Sequence, residues 1–309
     1  KIIVICGPTC AGKSRIGIIM ARLLKTDIIS IDSMQVYRGM DIGTDKYDSG
    51  EHGVRQFMTD IFEPDHELSV VEFKEMCRKI IEREFFRKSK IPLLVGGSGM
   101  YLRAVLRNMD HIPEADKSIR KKFEDSIKTD GLEKYYQRLK EIDKDYAKKI
   151  SKSDQRRIIR ALEVYQITGI PFSKFQNVWE DTKEEYDSVI AGLEVKKPDL
   201  DECINKRVEG MFEKGLVSEV RDLVSKGYRG CKSLLQAVGY KEVLHYLDGE
   251  ISMDECKSEV ARNTRRLAKK QMTWFRSELK INWIRASNYG NIFKLIADIL
   301  KLLEKTISG

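Results

Sequence analysis

From residue 1 to about residue 110 the chain alternates between two kinds of run. Short stretches that are apolar save for Ser30 occur at residues 2–6, 28–31 and 91–95. Between them lie longer stretches of helical character, at residues 13–24, 70–87 and 100–107. A strand apolar at every position is buried on both faces, which is the mark of a parallel sheet covered by helices on each side. The pattern predicts an α/β class.

The texture then changes. Residues 112–187 are charge-dense and Tyr-rich, with helical segments at 117–127, 132–141 and 154–167 and a break at Gly169-Ile170-Pro171. Strand character returns at 188–195, followed by amphipathic helices at 199–212, 216–225, 233–247 and 252–279, a short strand at 281–284 and a last helix at 292–304. The expected organisation is a main domain made of residues 1–111 and 188–309, interrupted by an all-helical insertion at 112–187.

Composition narrows the class. Hydrophobic residues make up 41% and charged residues 34%, typical of a globular protein. No apolar run approaches the roughly 20 residues of a membrane span. The opening strand leads directly into a Gly-rich loop without the features of a secretory signal, and six scattered cysteines include no CxxC pair. A soluble, cytoplasmic protein with reduced thiols is expected, working as a monomer. Fifty-six Lys and Arg against 48 Asp and Glu leave a net charge of +8, which favours a polyanionic partner without proving one.

The first loop carries the clearest chemistry. Gly7-Pro8-Thr9-Cys10-Ala11-Gly12-Lys13-Ser14 fits G-x-x-x-x-G-K-[ST] between a buried strand and a helix. Such a loop turns backbone N–H groups toward phosphate oxygens, with Lys13 adding a charge and the Ser14 hydroxyl available to Mg²⁺. It shows that a phosphorylated ligand binds, not what is transferred. Nucleoside-triphosphate enzymes usually add a strand-end Asp that positions the metal. Here the strand at 91–95 runs into Gly96-Gly97-Ser98-Gly99, whereas the strand at 28–31 ends at Asp32. Asp32 lies where parallel sheets bind ligands, as a metal ligand, a base, or simply a turn residue.

Six blocks in order, GPTCAGKS, DSMQVYRGMDIGT, GGSGMY, RRIIRALEV, QAVGYKE and LAKKQMTWFR, closely resemble the signature blocks of the bacterial tRNA dimethylallyltransferases. They extend from Gly7 to Arg276. The resemblance implies a P-loop NTPase-like fold and a reaction. The dimethylallyl group of dimethylallyl diphosphate moves to the exocyclic N6 amine of the adenosine just 3′ of the anticodon, releasing diphosphate with Mg²⁺ present. The P-loop would then hold the donor's diphosphate.

By the same resemblance, Asp32 is the catalytic acid that accepts the amine's proton, Thr9 to Ser14 form the diphosphate cradle, and Ser14 is the metal ligand. Ser98 stands where Thr is usual, and Arg207 matches an Arg near the diphosphate. Four segments match regions that contact the tRNA anticodon stem-loop: Asp32, Ser33, Met34 and Gln35; Arg156, Arg157, Ile158, Ile159 and Arg160; Gln236, Ala237, Val238, Gly239, Tyr240 and Lys241; and Lys269, Lys270, Gln271, Met272, Thr273, Trp274, Phe275 and Arg276. Ser98 and Arg120 join them. Cys10, Ala11 and Met100 depart conservatively from the common pattern. The competing readings are a P-loop small-molecule kinase, which would need ATP and no RNA, and an adenylate isopentenyltransferase, which would leave the RNA-matching blocks without a purpose.

Overall fold

A computed structural model describes residues 1–47, 50, 53–107, 112–175, 185–277, 280–286 and 292–307. Six strands, β1 (Ile2–Cys6), β2 (Ile28–Ile31), β3 (Gln56–Phe57), β4 (Leu93–Gly96), β5 (Ser188–Glu194) and β6 (Ile281–Arg285), form one sheet in the order β3-β2-β4-β1-β5-β6. Every neighbouring pair is parallel. The fold is therefore α/β, with β1 at the centre and all strand carboxyl ends along one edge.

Residues of β1 alternate between two cores. Ile2, Val4 and Cys6 enter one, Ile3 and Ile5 the other. Helices α1 (Lys13–Leu23), α2 (Val70–Ile80) and α3 (Gly99–Leu106) follow the first strands. Helix α1 covers the second core through Ile16 and Met20, while α2 and α3 cover the first through Phe73, Cys77 and Val105. Burial on both faces explains why these strands are almost wholly apolar, the buried Ser30 of β2 being satisfied by Gln35.

The chain divides into two compact units, residues 1–106 with 186–309, and residues 107–185. The second contains α4 (Lys117–Asp130), α5 (Leu132–Ile142), α6 (Lys144–Lys149) and α7 (Gln155–Thr168), packed around Phe123, Tyr135, Leu139, Ile158 and Leu162. Its interior holds two carboxylates, Asp143, which accepts from the Tyr146 and Ser173 amides, and Glu163. Glu163 is fully buried and accepts hydrogen bonds from Arg120 Nε at 3.0 Å, Arg160 Nη1 at 2.7 Å and the Asp116 amide at 2.7 Å. A buried charge is tolerable only when paired and hydrogen-bonded in this way.

The first unit continues with α8 (Lys197–Glu213), α9 (Leu216–Ser225), α10 (Lys232–Gln236), α11 (Tyr240–Leu247), α12 (Met253–Ser277) and α13 (Ile292–Ile307). Three features differ from the sequence reading. The helix expected over 70–87 ends at Ile80, and a π turn at Ile81–Phe85 follows, bringing Phe85 edge-on to Phe57 at 5.7 Å. The helix expected over 233–247 is two helices, broken where Gly239 adopts φ 97, a left-handed backbone that glycine accepts without strain. Strand β3 and helix α6 were not foreseen, being too short to show periodicity. Residues 278 and 279 of the last long predicted helix lie outside the described residues.

Phe275, in a block matched to RNA contact, is 1% exposed. Phe275→Ala should therefore cost about 3–5 kcal/mol of unfolding free energy by urea titration, while the folded fraction keeps wild-type RNA affinity. A stable variant with weakened RNA binding would reverse that assignment.

Candidate active site

Three strand ends meet at the centre of the sheet edge. After β1 the chain turns through residues 7–12 and enters α1, whose N-cap Gly12 has φ 81, no side-chain cap and no acidic residue in the first helical turn. The first amides of a helix have no partner within it, so here they, and the positive end of the helix dipole, remain for an anion. Cys10 holds φ 62, a conformation a non-glycine residue adopts at a cost, and one that helps turn consecutive N–H groups the same way.

This loop is braced from behind. The Thr9 amide donates to Gln271 Oε1 at 2.8 Å, and Gln271 Nε2 donates to the Gly97 carbonyl at 3.1 Å. One amide side chain from α12 thus joins the loops after β1 and β4. Arg207, on α8, donates to Thr9 Oγ1 at 2.9 Å and to the Gly43 carbonyl at 3.4 Å, and pairs with Asp45 at 3.3 Å. Trp274 lies directly against Gly99, where an added Cβ would fall 1.9 Å from the indole. Only glycine fits there.

Lys13 donates to the Pro8 carbonyl at 2.6 Å. The residue keeps some accessible surface, but burial around its ammonium lowers its pKa from the usual value to about 8, opposed by Asp32 and reinforced by Arg207. Asp32, at the end of β2, accepts from the Met34 amide at 2.8 Å through Oδ1. That bond is an Asx-type turn, and it leaves Oδ2 for a ligand. Ser98 accepts from the Ser33 amide at 3.3 Å, while its own amide donates to the Ile31 carbonyl at 3.2 Å. Lys13, Asp32, Ser98, Thr9 and Arg207 are thereby brought together in the first unit, around one loop.

The segments matched to RNA contact divide into core and surface. Gln35 is buried, accepting from Ser30 Oγ at 2.7 Å and donating to the Thr44 carbonyl at 3.1 Å. Ile158, Ile159, Ala237, Gly239, Tyr240 and Phe275 are likewise buried. Arg120 and Arg160 are engaged by Glu163, and Gln271 by the two loops. Ser33, Met34, Val238, Met272 and Trp274 are half-buried, whereas Arg156, Arg157, Gln236, Lys241, Lys269, Lys270, Thr273 and Arg276 are exposed. A cavity of about 740 Å³ opens beside Pro8, with an apolar floor that includes Ile204 and Met272 and a rim that includes Lys196, Lys197, Lys269 and Arg276. Sequence reasoning missed Gly43 and Asp45 as partners of Arg207. The signal was the DIGT run, read only as part of a block, which contains Gly43 and is followed directly by Asp45.

Fold and site define an α/β protein with a P-loop beside a strand-end carboxylate. A profile of the IPP transferase family matches residues 35–278. The chain is 39% identical over 307 residues to a tRNA dimethylallyltransferase of Thermoanaerobacter sp. (strain X514), covering 98% of this chain and 97% of that protein, and 40% identical over 301 residues to one of Acetivibrio thermocellus, covering 97% and 96%. Among solved structures it is similar to the tRNA isopentenylpyrophosphate transferase of Bacillus halodurans, with TM-score 0.72, 36% identity and coverage of 100% and 98%. It is also similar to a eukaryotic dimethylallyltransferase described acting on tRNA, with TM-score 0.76, 28% identity and coverage of 92% and 73%. The chain belongs to the IPP transferase family.

The Gln271 brace has a measurable consequence. Gln271→Ala removes two hydrogen bonds that hold the loop, each contributing about 0.5–1.5 kcal/mol. Inorganic diphosphate should bind about 5- to 30-fold more weakly by calorimetry, alongside a loss of about 1–3 kcal/mol in unfolding free energy. Wild-type diphosphate affinity would show that the loop holds its shape without the brace.

Proposed function

We propose that this chain transfers the dimethylallyl group of dimethylallyl diphosphate to the N6 amine of the adenosine immediately 3′ of the anticodon in tRNA. The observation that carries the reading is the convergence of Asp32 with a phosphate-binding loop at one sheet edge, in a chain belonging to the IPP transferase family. Full-length relatives named tRNA dimethylallyltransferase favour it over the kinase reading.

In the reaction the C1–O bond to the diphosphate breaks and a C1–N6 bond forms. The amine proton passes to Asp32 Oδ2, the carboxylate oxygen not spent on the Met34 turn. An exocyclic adenine amine is a weak nucleophile, so a positioned base acts mainly in the transition state. Negative charge grows on the departing diphosphate, and the α1 amides, Lys13, Ser98 and Arg207 are placed to meet it.

Magnesium fits the donor set as an ion held largely by the diphosphate. Ser14 offers a hydroxyl in the first turn of α1, and among the described residues no cluster of three or more acid, His or Cys side chains could cage an ion. Mg²⁺ typically keeps several waters and takes one or two protein ligands beside phosphate oxygens. When bound it neutralises charge on the leaving group.

For the RNA partner, the target base must leave its stack, at a cost of a few kcal/mol. Exposed Lys241, Lys269, Lys270 and Arg276 of the first unit, and Arg156 and Arg157 of the insertion, supply cations for phosphates of the anticodon stem-loop. The insertion serves as an RNA-gripping unit. Among the described residues no helix is long and apolar enough to cross a membrane, and the six cysteines are free.

The test is prenyl transfer from labelled dimethylallyl diphosphate to tRNA lacking the modification. Asp32→Ala should reduce turnover by about 10²- to 10⁴-fold while tRNA and diphosphate binding persist. Full turnover in that variant would remove Asp32 from the chemistry.

A pH dependence follows from Lys13, whose pKa is lowered to about 8, chiefly by burial. A bound diphosphate favours the ammonium and raises that pKa, so binding takes up a proton above pH 8. Donor affinity should fall as pH rises from 8, approaching tenfold per unit, and Lys13→Ala should abolish the slope. A wild-type affinity flat from pH 7 to 9.5 would contradict this.

A further inference from the structure

Beyond the residues of the site, one carboxylate gathers four donors. Glu219, half-buried on α9, accepts from the Ile42 amide at 2.8 Å and the Asp41 amide at 3.1 Å through Oε2. Its Oε1 accepts from the Tyr240 hydroxyl at 2.6 Å and, more distantly, from the Gly43 amide at 3.5 Å. Three consecutive backbone N–H groups of residues 41–43 therefore point at one side chain. The Tyr240 ring is packed so closely on this loop that a Cβ at Gly43 would fall 2.2 Å from it.

The same loop turns its other side to the diphosphate cradle. Its Gly43 carbonyl and Asp45 carboxylate hold Arg207, and Arg207 holds Thr9. From Glu219 to Thr9 there is thus an unbroken series of hydrogen bonds and one ion pair. Among the described residues, Glu219 itself makes no hydrogen bond to the P-loop, Asp32 or Ser98.

We propose that Glu219 is a positioning residue for donor binding. By fixing the amides of residues 41–43 it sets the Gly43 carbonyl and Asp45, and through them the direction of the Arg207 guanidinium at the diphosphate. The inference rests on the reading of the site as a prenyl-diphosphate site. An ionised carboxylate suits the task because it is acceptor-only and can take several N–H bonds at once. A glutamine has one acceptor oxygen, and its NH₂ would face backbone N–H groups.

The test compares wild type with Glu219→Gln, alone and combined with Arg207→Ala. Glu219→Gln should raise KM for dimethylallyl diphosphate and weaken inorganic diphosphate binding by about 10-fold, with tRNA affinity within twofold of wild type. In the Arg207→Ala background the same substitution should change donor binding by less than twofold, because the group it positions is gone; coupling of this kind is what neighbours in one network show. Tyr240→Phe, which removes one donor and leaves the ring, should shift donor KM in the same direction by a smaller factor, and provides the reading should Glu219→Gln fold poorly. Equal losses with and without Arg207 would overturn the proposal, as would a well-folded Glu219→Gln protein with wild-type donor KM. If the wild-type protein transfers no prenyl group and binds no diphosphate, the failure lies with the reading of the site instead.

Discussion

An anion-binding loop must present backbone N–H groups that the protein itself leaves unsatisfied, and this requirement governs much of the architecture. A loop whose amides are not tied down within itself has to be held from outside. Here Gln271 fastens Thr9 to the Gly97 carbonyl, Arg207 fastens the Thr9 hydroxyl, and Cys10 accepts a left-handed backbone. The sheet makes this possible. With β1 between β4 and β5, and every pair parallel, the loops after β1, β2 and β4 emerge side by side, and α8 and α12 of the same unit reach across to them.

Such bracing alters what a signature block means. LAKKQMTWFR contains an internal brace at Gln271, an aromatic lid on Gly99 at Trp274, a core residue at Phe275, and exposed cations at Lys269, Lys270 and Arg276. DSMQVYRGMDIGT likewise mixes Asp32, which keeps an oxygen for a ligand, with Gln35, whose amide is spent on Ser30 and Thr44. Holding a site and touching its ligand demand different residues, but both demands fall on the same short segments. A one-dimensional match cannot separate them.

Much of the fold was legible because burial on both faces leaves a strong local trace: β1, β2, β4 and β5 were readable from apolar runs, and the P-loop from its spacing. What escaped was short or non-local. Strand β3 has two residues, too few for a period. The π turn at Ile81–Phe85 keeps the apolar spacing of a helix and so reads as one. Gly239 breaks a helix that composition alone allows, because a glycine in a helical pattern is costly but not forbidden. Glu219 was invisible for another reason: three of its four donors lie 176 to 178 positions away, and nothing about Glu in an amphipathic helix distinguishes an amide-gathering carboxylate from a solvated one.

The charges of the site follow from the same requirement. Burial disfavours the charge on the Lys13 ammonium most strongly, Asp32 offsets part of that cost, and Arg207 adds a smaller amount to it. On the function proposed above, a bound diphosphate offsets that cost, since its negative charge favours the buried ammonium. Phosphate affinity then rests on more than hydrogen bonds, because part of it comes from stabilising the charged form of Lys13. On that same reading, Gly43 and Asp45, which hold Arg207, belong to donor binding together with the cations.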